Sequence, residues 1–229
     1  VDISTLTESE LSEILLYHVY DGSVPASAVT DGMMAEMMNG DKVSFTNDGT
    51  TVTIGSATVT QADVAASNGI IHVIDKVLMP PTDIPTTASG TGIHNTLVNA
   101  VVDAGLLSTL EGEGPFTVFA PTDQAFTDLG VDLSTLSQSD LSDILLYHVV
   151  SAEVPASAVT DCMSADAANT QPLSFTVGES GVMVNDANVI MTDVISSNGL
   201  IHVIDKVLMQ LTPQEIFLEP HNVLASTTH

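Results

Sequence analysis

Asn198–Met209 reads NGLIHVIDKVLM, and Asn68–Met79 reads NGIIHVIDKVLM. The two stretches differ only at Ile70 against Leu200. Each is a nearly unbroken apolar run, which suits a strand covered on both faces, so Leu200–Leu208 is predicted to lie centrally in a sheet. The Asn-Gly pair in front of each run is a strong turn signal.

Working outward, the sequence falls on itself after a shift of 130 residues. Residues 1–79 align with 131–209 without a gap, and 45 of the 79 positions are identical. LLYHV occurs at Leu15–Val19 and Leu145–Val149, and VPASAVTD at Val24–Asp31 and Val154–Asp161. Two segments this alike share one fold. Residues 93–130 have no counterpart, because they would pair with positions before Val1. The first copy is therefore expected to start in mid-domain. Its exposed apolar surface would be worth several kcal/mol at about 25 cal/mol per Å². Either Val1 is not the natural start, or a neighbour covers the gap.

Around the repeat, periodicity supplies further elements. Leu97, Val98, Val101 and Val102 recur at helical spacing, and Leu106, Leu107 and Leu110 follow a stop at Gly105. Phe116–Ala120 reads as a strand ended by Pro121, after which Thr122 or Asp123 caps a short helix carrying Phe126 and Leu129. Ser137 or Ser139 caps a helix whose apolar face is Leu141, Ile144, Leu145 and His148, with Leu11, Ile14, Leu15 and His18 as the twin face. Short strands are predicted around Leu173–Val177, Val182–Val184 and Val189–Thr192. Helices followed by strands give an α+β class.

These residues carry a resemblance to a known family. GPFTVFAPTDQAF at Gly114–Phe126, the Tyr-His element LLYHVV at Leu145–Val150, and NGLIHVIDKVLM resemble the signatures of fasciclin (FAS1) modules, in the family's order. The resemblance implies two modules, each a wedge of two β-sheets with helices packed on one side. The expected boundaries are a partial module at 1–80, a Pro/Thr/Ser/Gly-rich linker at 81–92, a complete module at 93–210, and a C-terminal tail at 211–229. It also implies adhesion at a cell surface or in a matrix. In some animal members, an Asp-Ile pair before the last signature and the Tyr-His element are linked to integrin binding. The matching positions here are Asp63-Val64 and Asp193-Val194, and Tyr17-His18 and Tyr147-His148. Val stands in place of Ile, so the location of the surface is what carries over.

Composition narrows the partners. There are 29 Asp and Glu against three Lys and no Arg, a net charge of −26. Such a surface repels nucleic acid and anionic lipid, leaving protein partners. The acids read first as a solvated surface, with a surface that attracts cations or a basic partner as the alternative; weak Ca²⁺ binding stays open, although no EF-hand loop is present. One cysteine, Cys162, rules out an intrachain disulfide. No N-glycosylation sequon occurs, no signal peptide is visible at Val1, and no apolar run approaches the roughly 18 residues of a membrane span.

No serine-hydrolase elbow, zinc-protease, phosphate-loop or Cys-x-x-Cys motif occurs. No enzymatic activity and no cofactor are expected. His72 and His202 interrupt apolar strands, as core histidines bonding backbone or as ligands. His18 and His148 end a helix, where a cation suits the dipole or a ring can bond an acid. Tyr17 and Tyr147 are expected to bury their rings and give the hydroxyl to a polar partner. Asp75 and Asp205 sit beside Lys76 and Lys206, as a local ion pair, a turn contact or a partner contact. Met33, Met34, Met37 and Met38 form a cluster whose twin is Met163, Ser164, Ala167 and Ala168, so the fold does not require it. Such a cluster forms an adaptable binding patch or lines a short helix. The functional expectation is a non-enzymatic adhesion or scaffold protein, extracellular or at a cell surface. The alternative is an extrinsic soluble subunit of a large membrane complex, such as one on the lumenal side of a photosynthetic assembly in the thylakoid lumen.

Overall fold

The structure, a computed structural model, describes residues 6–131, 133–178 and 181–210. The expected tail at 211–229 lies outside the described residues. The repeat is visible in the element order. Helix α1 (Glu8–Leu16) and strands β1 (Met34–Glu36), β2 (Lys42–Asn47), β3 (Val52–Ile54), β4 (Ala57–Ala66) and β5 (Gly69–Ile74) form the first module. The second contains α2 (Ile84–Gly90), α3 (Asn95–Asp103), α4 (Leu107–Leu110), β6 (Phe116–Pro121), α5 (Asp123–Leu129) and α6 (Gln138–Leu146). It continues with β7 (Val149–Val150), β8 (Ser164–Asp166), β9 (Pro172–Gly178), β10 (Gly181–Val184), β11 (Ala187–Ser196) and β12 (Gly199–Ile204). The fold class is α+β, as expected.

The strand order in the second module is β7-β6-β12-β11-β10-β9-β8. Its two leaves share β11. Ala187 and Asn188 pair with β10, whereas Val189–Ser196 pair with β12. Register shifts between Val189 and Val194 bend the strand where the leaves part. Strand β12 lies between β11 and β6, the latter parallel to it. The central position predicted for Leu200–Leu208 therefore holds. The strand itself stops at Ile204, because the Asp205 carboxylate turns back to accept from the Asn188 N–H at 2.7 Å.

Two apolar layers hold this module. Leu97, Val101, Phe126, Leu141 and Leu145 from the helices pack on Val118, Ala120 and Ile201. Between the leaves, Phe119 meets Phe175, Leu173, Val184, Ile204 and Leu208. The helices start where their caps predict. Thr122 accepts from the Ala125 N–H, Ser137 from the Asp140 N–H, and Thr7, the twin of Ser137, closes a capping box with Glu10.

Residues 81–92, the expected linker, contain a helix. Helix α2 is capped by Asp83 and buries Ile84, Pro85 and Ala88 against the second module's helical layer. Its polar, Thr-rich sequence is held by tertiary contact rather than by helix propensity.

In the first module the order is β1-β2-β3-β4-β5, so β5 lies at the edge among the described residues. Its core is Tyr17, Val29, Ala35, Met37, Val43, Phe45, Ala57 and Leu78. Lys42 on β2 reaches across to Glu153 of the second module, with Nζ–Oε distances of 2.5 and 2.7 Å.

Candidate functional site

Asp193 sits at the bend of β11 with φ 55°, in the left-handed region, and Asp63 occupies the same place in β4 with φ 57°. Aspartate tolerates this conformation because its short side chain can bond locally. The Asp193 carboxylate accepts from the Ala156 N–H at 2.9 Å, and Asp63 accepts from the Ala26 N–H at 2.9 Å. Both carboxylates therefore clamp the Val-Pro-Ala-Ser-Ala loop of their own module. Val194 packs against the helical core, and Val64 is half-buried.

His202 completes this clamp. Its Nδ1 accepts from the Asp193 N–H at 3.2 Å, so its Nε2–H donates to the Val154 carbonyl at 2.9 Å. Phe119 stacks on the ring with centroids 5.4 Å apart. His72 repeats both backbone bonds, to the Asp63 N–H and the Val24 carbonyl. The expectation of a core or half-buried histidine bonding backbone describes both, with His202 buried and His72 half-buried.

Tyr147 and His148, read from sequence as candidate partner contacts, are buried. The Tyr147 hydroxyl donates to the Pro172 carbonyl at 3.0 Å and accepts from Asn185 Nδ2 at 2.9 Å. His148 Nδ1–H donates to the Ile144 carbonyl and Nε2 accepts from the Leu208 N–H, both at 2.8 Å. The ring is neutral rather than a helix-end cation, because burial pushes its pKa down to about 4. In the first module Tyr17 is buried too, and burial, aided by Asp41, pushes its hydroxyl up to about 12. His18 makes the same two backbone bonds as His148 yet is exposed.

The methionines are not on a helix. Met34–Glu36 is the edge strand β1, and alternation separates the four side chains. Met37 is in the core and Met33 packs against it, whereas Met34 is half-buried and Met38 is exposed. Asp75 and Asp205 hold backbone amides of Thr58 and Asn188 and do not pair with the neighbouring lysines. Lys206 instead reaches Asp186, and Lys76 the Ser56 carbonyl. Cys162 is exposed, with φ 63° where its twin Gly32 has φ 72°. Among the described residues, no group of three or more His, Cys, Asp or Glu side chains is placed to hold a metal ion. No described helix is long and apolar enough to cross a membrane.

Sequence reasoning missed three side chains. Asn198 is more than a turn residue: Nδ2 donates to the Leu110 and Gly112 carbonyls, and Oδ1 accepts from the Ile84 N–H. His94, fully buried before α3, shares a hydrogen with Thr91 Oγ1 at 2.7 Å. Lys42 links the modules, a role its twin Pro172 gives no sign of.

The family model for the Fasciclin domain matches residues 2–80 and 93–210. The chain belongs to the fasciclin family. It is 39% identical over 161 residues to "Protein sll1483" of Synechocystis, covering 68% of this chain and 89% of that protein. It is 30% identical over 217 residues to transforming growth factor-beta-induced protein ig-h3 of Sus scrofa, covering 91% of this chain but 32% of that larger protein. Among solved structures it is similar to a FAS1 domain pair from the insect cell adhesion molecule Fasciclin I. That likeness has a TM-score of 0.51 at 24% identity, over 88% of this chain and 81% of the other, and speaks to the fold.

Proposed function

We propose that this fasciclin chain is a non-enzymatic adhesion or scaffold protein that presents two modules to protein partners outside the cell. One observation carries the reading. The repeated His, Asp and Tyr side chains, the groups that could do chemistry, are engaged with backbone in both modules. Side chains used as internal fasteners make a rigid support for loops and sheet edges. Two modules in one chain add avidity when both engage the same surface. In this reading the partner surface comprises the loops held by Asp63 and Asp193, with Met34 on the β1 edge and Met38 in the turn that follows it.

The test is binding of the labelled chain to matrix and cell-surface preparations, compared with the second module alone. Saturable binding that weakens at least tenfold with one module supports adhesion. Absence of binding, together with turnover of any substrate class in an activity panel, removes the reading. The cyanobacterial relative favours a second reading, an extrinsic subunit on the lumenal side of a membrane complex. Recovery with washed thylakoids rather than the outer wall or medium separates the two.

A further inference from the structure

We propose that the cavity beneath α2 in the second module is a binding site for the end of an unbranched hydrocarbon chain with a neutral head group. The cavity is partly enclosed and has a volume of about 30 Å³. Helix α2 contributes Ala88 to its wall, and the sheet contributes Val118 and Ile201. Val98, Leu106 and Leu146 also line it, and each is half-buried, so they form its mouth. Val102, one turn beyond Val98 on the same face of α3, is 53% exposed, so apolar surface continues from the mouth to the outside. Two polar residues touch the cavity. His148 has both ring nitrogens bonded to backbone, and Thr109 is exposed. A cavity whose lining offers no free polar group stays dry and accepts apolar guests.

Size selects the shape of the guest. A cavity of roughly 150 Å³ accepts benzene, whereas one of about 30 Å³ matches a single water's share of the liquid. That is room for a terminal methyl and not for a ring or a branched end. The methylenes that follow lie along Val98, Leu106 and Leu146. Charge selects the head group. In a chain with 29 acids, no charged side chain lines the cavity. Burying a carboxylate there is costly, and a net charge of −26 repels an anionic head outside it. The wall that gives way is α2, seven residues too short to be stable alone, whose Ile84 N–H donates to Asn198 Oδ1 at 3.0 Å. Every lining residue lies between Ile84 and Ile201. The site is independent of the adhesive reading, because it opens between helices and not among the loops held by Asp63 and Asp193.

The experiment titrates the full chain, labelled at its Val and Leu methyl groups, with three eight-carbon probes: 1-octanol, 2-cyclohexylethanol and octanoate. With 1-octanol, saturable NMR shifts are expected at the Val98, Leu106 and Leu146 methyls and not at Val43 or Val52 of the first module. The thermal midpoint should rise with the concentration of 1-octanol, as mass action requires of a ligand of the folded state. Binding of 1-octanol should be at least tenfold tighter than that of the ring-ended alcohol and of the carboxylate. Ala88→Leu fills the cavity and should weaken 1-octanol at least tenfold. The chain-against-ring comparison is made on the parent protein and holds even if that variant fails to fold. Shifts that do not saturate, or that spread equally over both modules, overturn the proposal. So does a ring-ended alcohol or a carboxylate that binds as tightly as 1-octanol, or a folded Ala88→Leu variant that binds 1-octanol like the parent.

Discussion

Asp193 shows how one side chain holds a loop to a bent strand. Its backbone is left-handed, with φ 55°, and its carboxylate takes the Ala156 N–H. Asparagine tolerates the same conformation and offers the same acceptor, so Asp193→Asn should unfold in urea at nearly the parent midpoint. Asp193→Ala loses the acceptor and puts a Cβ-bearing residue without local bonding at positive φ, at a cost of about 2 kcal/mol. If both variants match the parent, the clamp is not structural. His148 is the other decisive residue. Its folded pKa of about 4 lies below the usual 6.5, so the unfolded chain takes up the proton first as pH falls. Its contribution is complete above about pH 6.5 and is lost progressively toward pH 4. The gap corresponds to about 3 kcal/mol at most. Urea midpoints should fall between pH 7 and 4.5. In His148→Leu that slope should flatten, while stability at pH 7 also drops because the Leu208 N–H loses its acceptor. An unchanged slope in the variant would assign the acid sensitivity elsewhere.

At the scale of elements, identical sequence does unequal work. Asn198 ties α2, the end of α4 and the start of β12 with three hydrogen bonds, whereas its twin Asn68 is exposed. Asn198→Ala should therefore cost about 2–3 kcal/mol, and Asn68→Ala within about 0.5 kcal/mol of nothing. Differential scanning calorimetry of the two variants checks this; equal losses would mean that α2 is not anchored through Asn198. The same asymmetry marks what sequence could tell. Strands β2–β5 and β9–β12, α1 and α6 were legible because apolar spacing repeats at a fixed offset. Helix α2 was not, because Ile84 and Ala88 are two apolar contacts inside a run of Pro, Thr and Ser, and its stability is tertiary. The methionines misled because a three-residue edge strand is too short for its period to show. Of the candidate site, the histidine-to-backbone role was readable from a His inside an apolar strand. Exposure was not: Leu15 and Leu145 share the pentapeptide LLYHV, yet one is 59% exposed and the other 3%. Neighbours distant in sequence, not local pattern, decide that difference.

Across the whole molecule, the arrangement of the modules is an electrostatic balance with a small attractive term. The chain carries 29 acids and three lysines, and Lys42–Glu153 joins the first module to the second. Both side chains are partly exposed, so the pair contributes at most about 1 kcal/mol and is screened by salt. The net charge of −26 pushes the modules apart over a Debye length of about 30 Å at 0.01 M salt and about 10 Å at 0.1 M. Repulsion summed over many acids outweighs one pair, so adding NaCl from 10 to 500 mM should reduce the radius of gyration and raise the thermal midpoint. Lys42→Glu sets two carboxylates against each other at the junction. At 10 mM salt it should enlarge the radius of gyration beyond the parent's, and 500 mM salt should remove most of the difference. Exchanging the charges in Lys42→Glu with Glu153→Lys restores an attractive pair and should bring back the parent scattering curve. Small-angle X-ray scattering on these three proteins at both salt concentrations separates the pair from the general field. A Lys42→Glu curve superimposable on the parent's at low salt would mean that packing, not this ion pair, sets the angle at which the two modules face a partner.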